Sequence, residues 1–451
     1  MRPVEESCYW LAARSNYALS PVVAGDQEAE VVIIGAGFTG LWTAYFLKEL
    51  DPGLDIAVVE QQTVGYGASG RNAGMVSNCM DHSHALAIAH FGRQEAERLM
   101  RIGLANIDEL AEFAADCDFE RTGQLFVALT REHLESCREN AEVAAQLGLS
   151  GHRVLSAEEV RKELNSPLYR GGIFMPGGGI IDPIKLTDKL KRIGMARGVR
   201  FFENSKVTAV EDDRVITRTG SIRGKKIVLA ANAYSHLLFP RLINRFIPLY
   251  DYVLVSDPLT ETQHQELGWH NRQGVMDGRN FFNYYRLTRD NRILWGTSEA
   301  VYFPPNRVDE TCDHSEDHYE SLEESFKSHF PYLADLRFPF QWGGPIASTT
   351  RLTPVFGSMR DDRIIYALGY TGHGIGTTRV AGKILAHMAL ARPSDLLSLR
   401  MVRVKPFPYP PEPMRHASVK MVTRSLKGLD QGERPSPILK VLDLFGIGFS
   451  S

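Results

Sequence analysis

The hexapeptide GAGFTG at Gly35–Gly40, followed twenty residues later by an acid at Glu60, is where residue type and spacing most directly imply chemistry in this chain. In that pattern Gly35 permits a tight turn, Gly37 lets the backbone approach a pyrophosphate, and Gly40 lets the following helix pack on the preceding strand. Phe38 and Thr39 within the turn are expected contacts too, and the free N–H groups and dipole of the following helix favour an anion. Glu60 stands where a carboxylate accepts hydrogen bonds from ribose hydroxyls and repels a 2′-phosphate. A turn serving helix packing alone would need neither the acid nor its place at a strand end.

NAD and FAD share this turn, and the residues beyond it favour a flavin. GYGASGRNAGMVS (Gly65–Ser77) has no apolar period and directly follows the cofactor strand, where its amides can wrap a flavin. Gln61, Ser69, Gly70, Arg71, Asn72, Ala73 and Gly74 are the expected contacts there. A second segment, AANAYS (Ala230–Ser235), offers Ala230 and Asn232, with Val207 on an earlier strand. A third, GYTGHGIGT, offers Gly369, Gly372, Gly374, Ile375, Gly376 and Thr377 and aims another helix N-terminus at a ligand, which suits the negative charge of a reduced flavin. One extended dinucleotide accounts for all three segments. An NAD-dependent dehydrogenase would leave the second and third without a purpose.

The elements that must position these residues are legible as patterns. Glu30–Ile34 is a β-branched run typical of a parallel strand buried on both faces, Leu41–Leu50 is helical, and Asp51-Pro52-Gly53 stops it before a second buried strand, Ile56–Val59. Covering helices are expected at Arg93–Ala115, Arg131–Gln146 and Pro183–Arg197, with a capping box at Ser156 and Glu159. Strands are expected at Gly123–Leu129, Val199–Asn204 and Lys226–Ala233, then a β-rich, aromatic stretch over Leu249–Thr297 with a hairpin turn at Asp290-Asn291. A further strand-to-helix unit spans Arg363–Leu390. The expected class is α/β (α+β): a Rossmann-like FAD-binding domain of the glutathione-reductase-like kind with a β-rich substrate domain inserted. Residues 1–27 form an extended arm. Residues 28–95, 152–238 and 343–400 form the discontinuous FAD-binding domain, 96–151 and 239–342 the substrate domain, and 401–451 a proline-rich, then amphipathic, tail.

Composition narrows the function classes. With 451 residues and 43% hydrophobic content the chain can bury one large or two medium cores. Fifty-one Lys plus Arg against 54 Asp plus Glu leave a net charge of −3, which gives nucleic acid no basic field to bind. Cys8, Cys79, Cys117, Cys137 and Cys312 are scattered without a CxxC pair, so no metal site or disulfide framework is expected and a reducing cytoplasm fits. The N-terminus carries Glu5 and Glu6 where a signal peptide needs an apolar core, so neither secretion nor a membrane span is indicated.

Taken together, VVIIGAGFTGLWTAYFL, GASGRNAG, VLAANAYS, WGGPIASTTRLTPVFG and GYTGHGIGTTRVAG resemble the D-amino-acid oxidase (DAO) superfamily of FAD-dependent amine and amino-acid oxidoreductases over about Glu30–Leu390. GFTGLWTA and the appended tail look most like the gamma-glutamylputrescine oxidase and aminophosphonate oxidoreductase branch. The resemblance implies hydride removal from the C–H beside an amine nitrogen to flavin N5, then hydrolysis of the imine to an aldehyde or ketone. His373 and Tyr370 would stand beside the reacting atoms, the alternative for His373 being to cap its helix or pack. Two carboxylate clamps of the superfamily are missing: Ile346 stands where glycine and D-amino-acid oxidases place an Arg, and Gly376 where sarcosine oxidases place a Lys. An amine without an α-carboxylate is therefore expected. Arg351, grouped with the catalytic candidates, and Arg286 could grip a distal carboxylate or phosphonate, the alternative for Arg286 being a solvent-facing strand position.

Tyr252, Phe282, Tyr284, Arg286 and Trp342 are the candidate substrate residues. Phe281, Phe282, Tyr284 and Tyr285 should alternate, two towards a pocket and two into the core. No cysteine follows Cys312, so the cysteine linkage of the similar sarcosine oxidases has no matching residue, and the resemblance implies a non-covalent flavin. Asn280–Ala300 holds no Lys to speed reaction with oxygen, which leaves oxygen and a quinone or carrier protein both open as acceptor. A dehydrogenase of a modified amino acid or aminophosphonate, and a non-catalytic FAD-binding subunit, are the competing readings. In the tail, Arg415, Lys420, Arg424 and Lys427 beside Val419, Val422, Leu426 and Leu429, then ILKVLDLFGIGF, suit a peripheral membrane or partner contact, or packing on the protein's own surface.

Overall fold

The run Val31–Ile34 is buried on both faces because it lies in the middle of a mostly parallel sheet. In the computed structural model, which describes residues 2–444, the strand Gly25–Ile34 pairs in parallel with Ile56–Val59 on one side and Gly220–Leu229 on the other. Arg200–Phe202 and Ile364–Leu368 extend the sheet outward in parallel, and Val355–Met359 closes one edge antiparallel. The helices Phe38–Leu50 and Gly374–Ala389 pack together on one face and bury Trp42, Leu385 and Ala386. Their contact is close: a Cβ on Gly382 would lie 2.6 Å from that of Trp42.

A second sheet runs Val301–Tyr302, Ile247–Val255, Ile293–Thr297, Asn283–Leu287, Gly274–Asp277, Gln124–Ala128, Gly171–Met175 and Arg153–Ser156, with Phe340–Ser348 also paired to Ile247–Val255. Its aromatic core includes Tyr285 stacked on Trp295 with ring centroids 4.3 Å apart. The hairpin turn lies between Asn283–Leu287 and Ile293–Thr297 with Asn291 at φ +57°, and both bonds of the Ser156–Glu159 capping box are made.

Three boundaries differ from the expectation. Val4–Ser7 and Tyr9–Ala12 are short helices, and Cys8, Trp10 and Leu11 pack with Ala73 and Trp342, so the first residues are no simple extended arm. Arg153–Ser156, Gly171–Met175 and most of Phe340–Ser348 belong to the second sheet although their numbers fall largely in the segments expected to bind the cofactor. Arg93–Phe113 instead packs into the core of the first sheet, where Leu99, Ile107 and Leu110 are buried. Long-range pairing, invisible to local pattern, decides all three.

Candidate active site

The three glycine-bearing segments meet at one cavity of about 1080 Å³ between the sheets. Gly35 adopts φ +102°, and a Cβ there would meet Ala230 O at 2.7 Å, so the first and second segments touch through a position only glycine fills. Glu60 accepts hydrogen bonds from Ala36 N–H at 2.8 Å and Gln62 N–H at 3.1 Å, and burial pushes its carboxyl above the usual carboxylate range. Ser69 Oγ accepts from Phe38 N–H at 2.8 Å, tying the Gly65–Ser77 loop to the helix N-terminus. Asn232 Oδ1 accepts from Gly369 N–H at 3.0 Å, and Thr39 Oγ1 donates to Tyr370 Oη at 2.9 Å. Polar cross-links therefore hold the segments in register with one another.

Gly35, Gly37, Phe38, Thr39, Glu60, Gln61, Ser69, Arg71, Asn72, Ala73, Gly74, Val207, Ala230, Asn232, Gly372, Gly374, Ile375 and Gly376 all line the cavity, with Tyr370, His373, Phe282 and Tyr284. Gly40, Gly70, Gly369 and Thr377 do not. Gly40 and Gly70 are packing glycines, where a Cβ would lie 2.0 Å from Gly35 O and 2.4 Å from Gly65 O respectively. Gly369 packs against the Thr349 side chain, and Thr377 is buried within its helix. Arg71 donates through Nη1 to Asp313 Oδ2 at 2.7 Å and through Nε to Tyr66 O at 2.8 Å, while its buried Nη2 has no partner.

His373 precedes the helix Gly374–Ala389 but makes no capping bond, and its buried Nδ1 is unpartnered. Beside it lies a residue the motifs did not reveal, His82, with ring centroids 4.0 Å apart and Nε2 3.2 Å from Leu352 O. Burial holds both imidazoles below the usual histidine value, and His82 is lowered further by its neighbour. The DHSH run directly after the Gly-rich loop was the available signal. Asp251 was also missed: it lines the cavity on the strand Ile247–Val255, and Tyr284 Oη donates to its Oδ2 at 2.6 Å. A lone acid between Tyr250 and Tyr252 in an otherwise apolar strand was its mark.

Four expected ligand contacts are corrected. Arg286 is 2% exposed and donates to Gly74 O at 3.0 Å, Ile181 O at 2.7 Å and Leu287 O at 3.0 Å. It neither faces solvent nor lines the cavity but braces the Gly74 turn from behind. Arg351 donates to Thr353 Oγ1 at 2.7 Å, Val404 O at 2.7 Å and Met401 O at 3.2 Å, and so fastens the start of the tail. Burial pulls both guanidiniums down to about 10. Tyr252 is buried with its hydroxyl donating to Cys312 O at 2.9 Å, and Trp342 Nε1 donates to Arg71 O at 2.9 Å, so both support the wall without lining it. The aromatic cluster also divides differently: Phe281, Phe282 and Tyr284 line the cavity and Tyr285 alone enters the core.

The tail covers the cavity. The helix Met414–Asp430 turns Val419, Val422 and Leu426 inward, and Ile438 and Leu442 of Pro437–Leu444 join them, so this apolar face is already engaged; the rest of the LFGIGF stretch after Leu444 lies outside the described residues. Arg415 is buried and donates to Asn306 Oδ1 at 2.7 Å and to Asn244. At the far end Asp430 accepts from Asn280 N–H at 2.7 Å, Asn280 Nδ2 at 2.8 Å and Phe281 N–H at 3.0 Å, clasping helix to cavity rim. Asp430→Ala should therefore loosen the cover, raising KM about 3- to 10-fold with kcat little changed and speeding proteolysis of the tail. Unchanged KM and protease resistance would show that the clasp does not shape the site.

The DAO family profile, described as FAD dependent oxidoreductase, matches residues 30–388. The chain belongs to the DAO family. Gamma-glutamylputrescine oxidoreductase of Escherichia coli (strain K12) is 30% identical over 392 residues, covering 85% of this chain and 88% of that protein. The Rhizobium meliloti (strain 1021) protein named Probable oxidoreductase OrdL is 28% identical over 423 residues, 90% of this chain and 94% of its own. Among solved structures, glycine oxidase from Geobacillus kaustophilus superimposes with a TM-score of 0.68 at 18% identity, covering 82% of this chain and 96% of that one, a likeness of fold. As a DAO-family member the chain is an FAD-dependent oxidoreductase, and its cavity fits the cofactor. A Cβ on Gly37 would come within 2.9 Å of Ser69 Oγ and narrow the phosphate turn, and Arg71 Nη2 and His373 Nδ1 are buried donors or acceptors still without partners.

Proposed function

We propose that this chain oxidises a C–N bond of an amine lacking an α-carboxylate, with FAD held non-covalently. The observation that carries this reading is the charge of the cavity wall. Among the described residues its only Lys or Arg side chains are Arg71, paired to Asp313, and Lys206, beside Val207 near Glu60. Ile346 and Gly376 line the wall where a carboxylate clamp would stand. Unless Arg71 turned its unpartnered Nη2 to it, an α-carboxylate beside Ile346 and Gly376 would be desolvated without a charged partner.

In this reading Glu60 and Gln61 hold the ribose end, the Gly35–Thr39 turn the pyrophosphate, and Ala73, Gly74 and Gly372–Gly376 the isoalloxazine. Bound FAD supplies acceptance of a hydride from the C–H beside the nitrogen. The chain's own part is to orient that C–H, exclude water beneath the tail, and keep His82 and His373 neutral. Turnover of an accepted amine should yield one aldehyde or ketone per acceptor reduced; an amine bound but returned unchanged would favour the non-catalytic reading. Acid precipitation should release all yellow colour into the supernatant, and colour retained in the pellet would show a covalent link.

A second reading concerns the acceptor. Arg286 and Arg351, two cations that could have replaced the missing Lys, are spent on carbonyls outside the cavity, and burial lowers His373. These observations favour a dehydrogenase passing electrons to a quinone or carrier. Stopped-flow reoxidation should then be no faster with oxygen than for free reduced flavin; rapid reoxidation with stoichiometric hydrogen peroxide would make the enzyme an oxidase. Five cysteines without a disulfide suit a reducing compartment such as the cytoplasm. Among the described residues no helix is long and apolar enough to cross a membrane. Lys420, Arg424 and Lys427 are the exposed basic residues of Met414–Asp430 and form the surface for any membrane or partner contact, whereas Arg415 is buried.

A further inference from the structure

Two carboxylates line the cavity among the described residues, Glu60 and Asp251, and the account so far uses only the first. Asp251 lies on the wall formed by the second sheet, paired in register with Gly344, with Phe281, Phe282 and Tyr284 also on the lining. Its Oδ2 receives the Tyr284 hydroxyl at 2.6 Å; its Oδ1 is buried and has no partner. Among the described residues no Lys, Arg or His is paired with it. Keeping an acid on an aromatic wall without a counter-charge is unfavourable unless something brings that charge. Burial pushes its carboxyl up to about 7, and a cation beside it would favour the ionised form.

We propose that Asp251 is the anion that receives the positively charged nitrogen of the ligand, so that the cavity selects organic cations. Tyr284 holds one carboxylate oxygen and thereby presents the other, and the neighbouring rings offer their faces to the same charge. The selection is complementary to the expected lack of clamps: a wall with Ile346 and Gly376 at the clamp positions still gives an ammonium a dedicated partner. The inference rests on the proposed amine chemistry, in which a reacting ammonium passes its proton to Asp251 before its α-hydrogen leaves as hydride, but binding can be measured apart from turnover.

Cumylamine is a suitable probe because its carbon beside nitrogen bears no hydrogen and cannot be oxidised, and cumyl alcohol is its neutral counterpart. The FAD-loaded protein and its Asp251→Asn variant are titrated with each by calorimetry and by perturbation of the flavin spectrum. The parent should bind the amine roughly tenfold or more tightly than the alcohol. Asp251→Asn should lose that preference while keeping its FAD content and alcohol affinity, and Asp251→Glu should restore part of it. Equal binding of amine and alcohol by the parent, or a preference undiminished in Asp251→Asn, would overturn the proposal. Oxidation of amines by both proteins would still uphold the amine chemistry in that case, whereas tight cumylamine binding without oxidation of any amine would uphold Asp251 and not the chemistry. If Asp251→Asn fails to retain FAD, Tyr284→Phe gives the second test: weaker cumylamine binding at unchanged alcohol binding supports the site, and no change in either refutes it.

Discussion

Replacing Glu60 by Ala should raise the dissociation constant for FAD by about 10- to 100-fold. Its carboxylate accepts from Ala36 and Gln62 N–H groups at 2.8 and 3.1 Å, so it fixes the glycine turn as well as standing at the expected ribose position. A hydrogen bond to a charged group is worth about 1.5 to 3 kcal/mol, and each 1.4 kcal/mol is a decade in affinity. Such contacts hold ground and transition states alike, so kcat at saturating FAD should change little. Equilibrium dialysis followed by reconstituted turnover checks both halves. Equal FAD affinity in variant and parent would remove Glu60 from the site.

The second large effect is on substrate choice. Glycine, sarcosine and D-alanine should be oxidised with kcat/KM about 10²- to 10⁴-fold below that of a primary or secondary amine without an α-carboxylate, since a buried ion left without its partner costs about 3 to 5 kcal/mol. Arg286 and Arg351, expected to grip a distal carboxylate or phosphonate, supply no clamp either, since their guanidiniums donate to main-chain carbonyls or Thr353 and lie outside the cavity lining. Comparable efficiency with a simple α-amino acid would mean that Arg71, through its unpartnered Nη2, breaks from Asp313 or serves both.

Local chemistry was legible and long-range placement was not. The GAGFTG turn, its helix and Glu60 could be read because each requirement lies within thirty residues of chain, and the structure brings all three together. The expectation of missing clamps came from Ile346 and Gly376 within their motifs, and both residues line the cavity. Arg286 was misread because its surroundings depend on a hairpin packing against the Gly74 turn 212 residues away. Asp251 gave no period and no motif, only an acid in an apolar strand, and its meaning came from Tyr284, 33 residues on. The amphipathic face of Met414–Asp430 was visible, but the surface it covers was not, because its clasp reaches back 150 residues to Asn280.

The central claim is that this DAO-family cavity brings cationic amines without an α-carboxylate to FAD. Anaerobic mixing of the FAD-loaded protein with alkylamines, diamines, glycine, sarcosine and D-alanine, following loss of the oxidised-flavin absorption, tests it most directly. The account predicts rapid, complete bleaching by at least one amine without an α-carboxylate and only slow bleaching by the three amino acids. A flavin that dithionite reduces but no such amine does, or one bleached fastest by a simple α-amino acid, would contradict it.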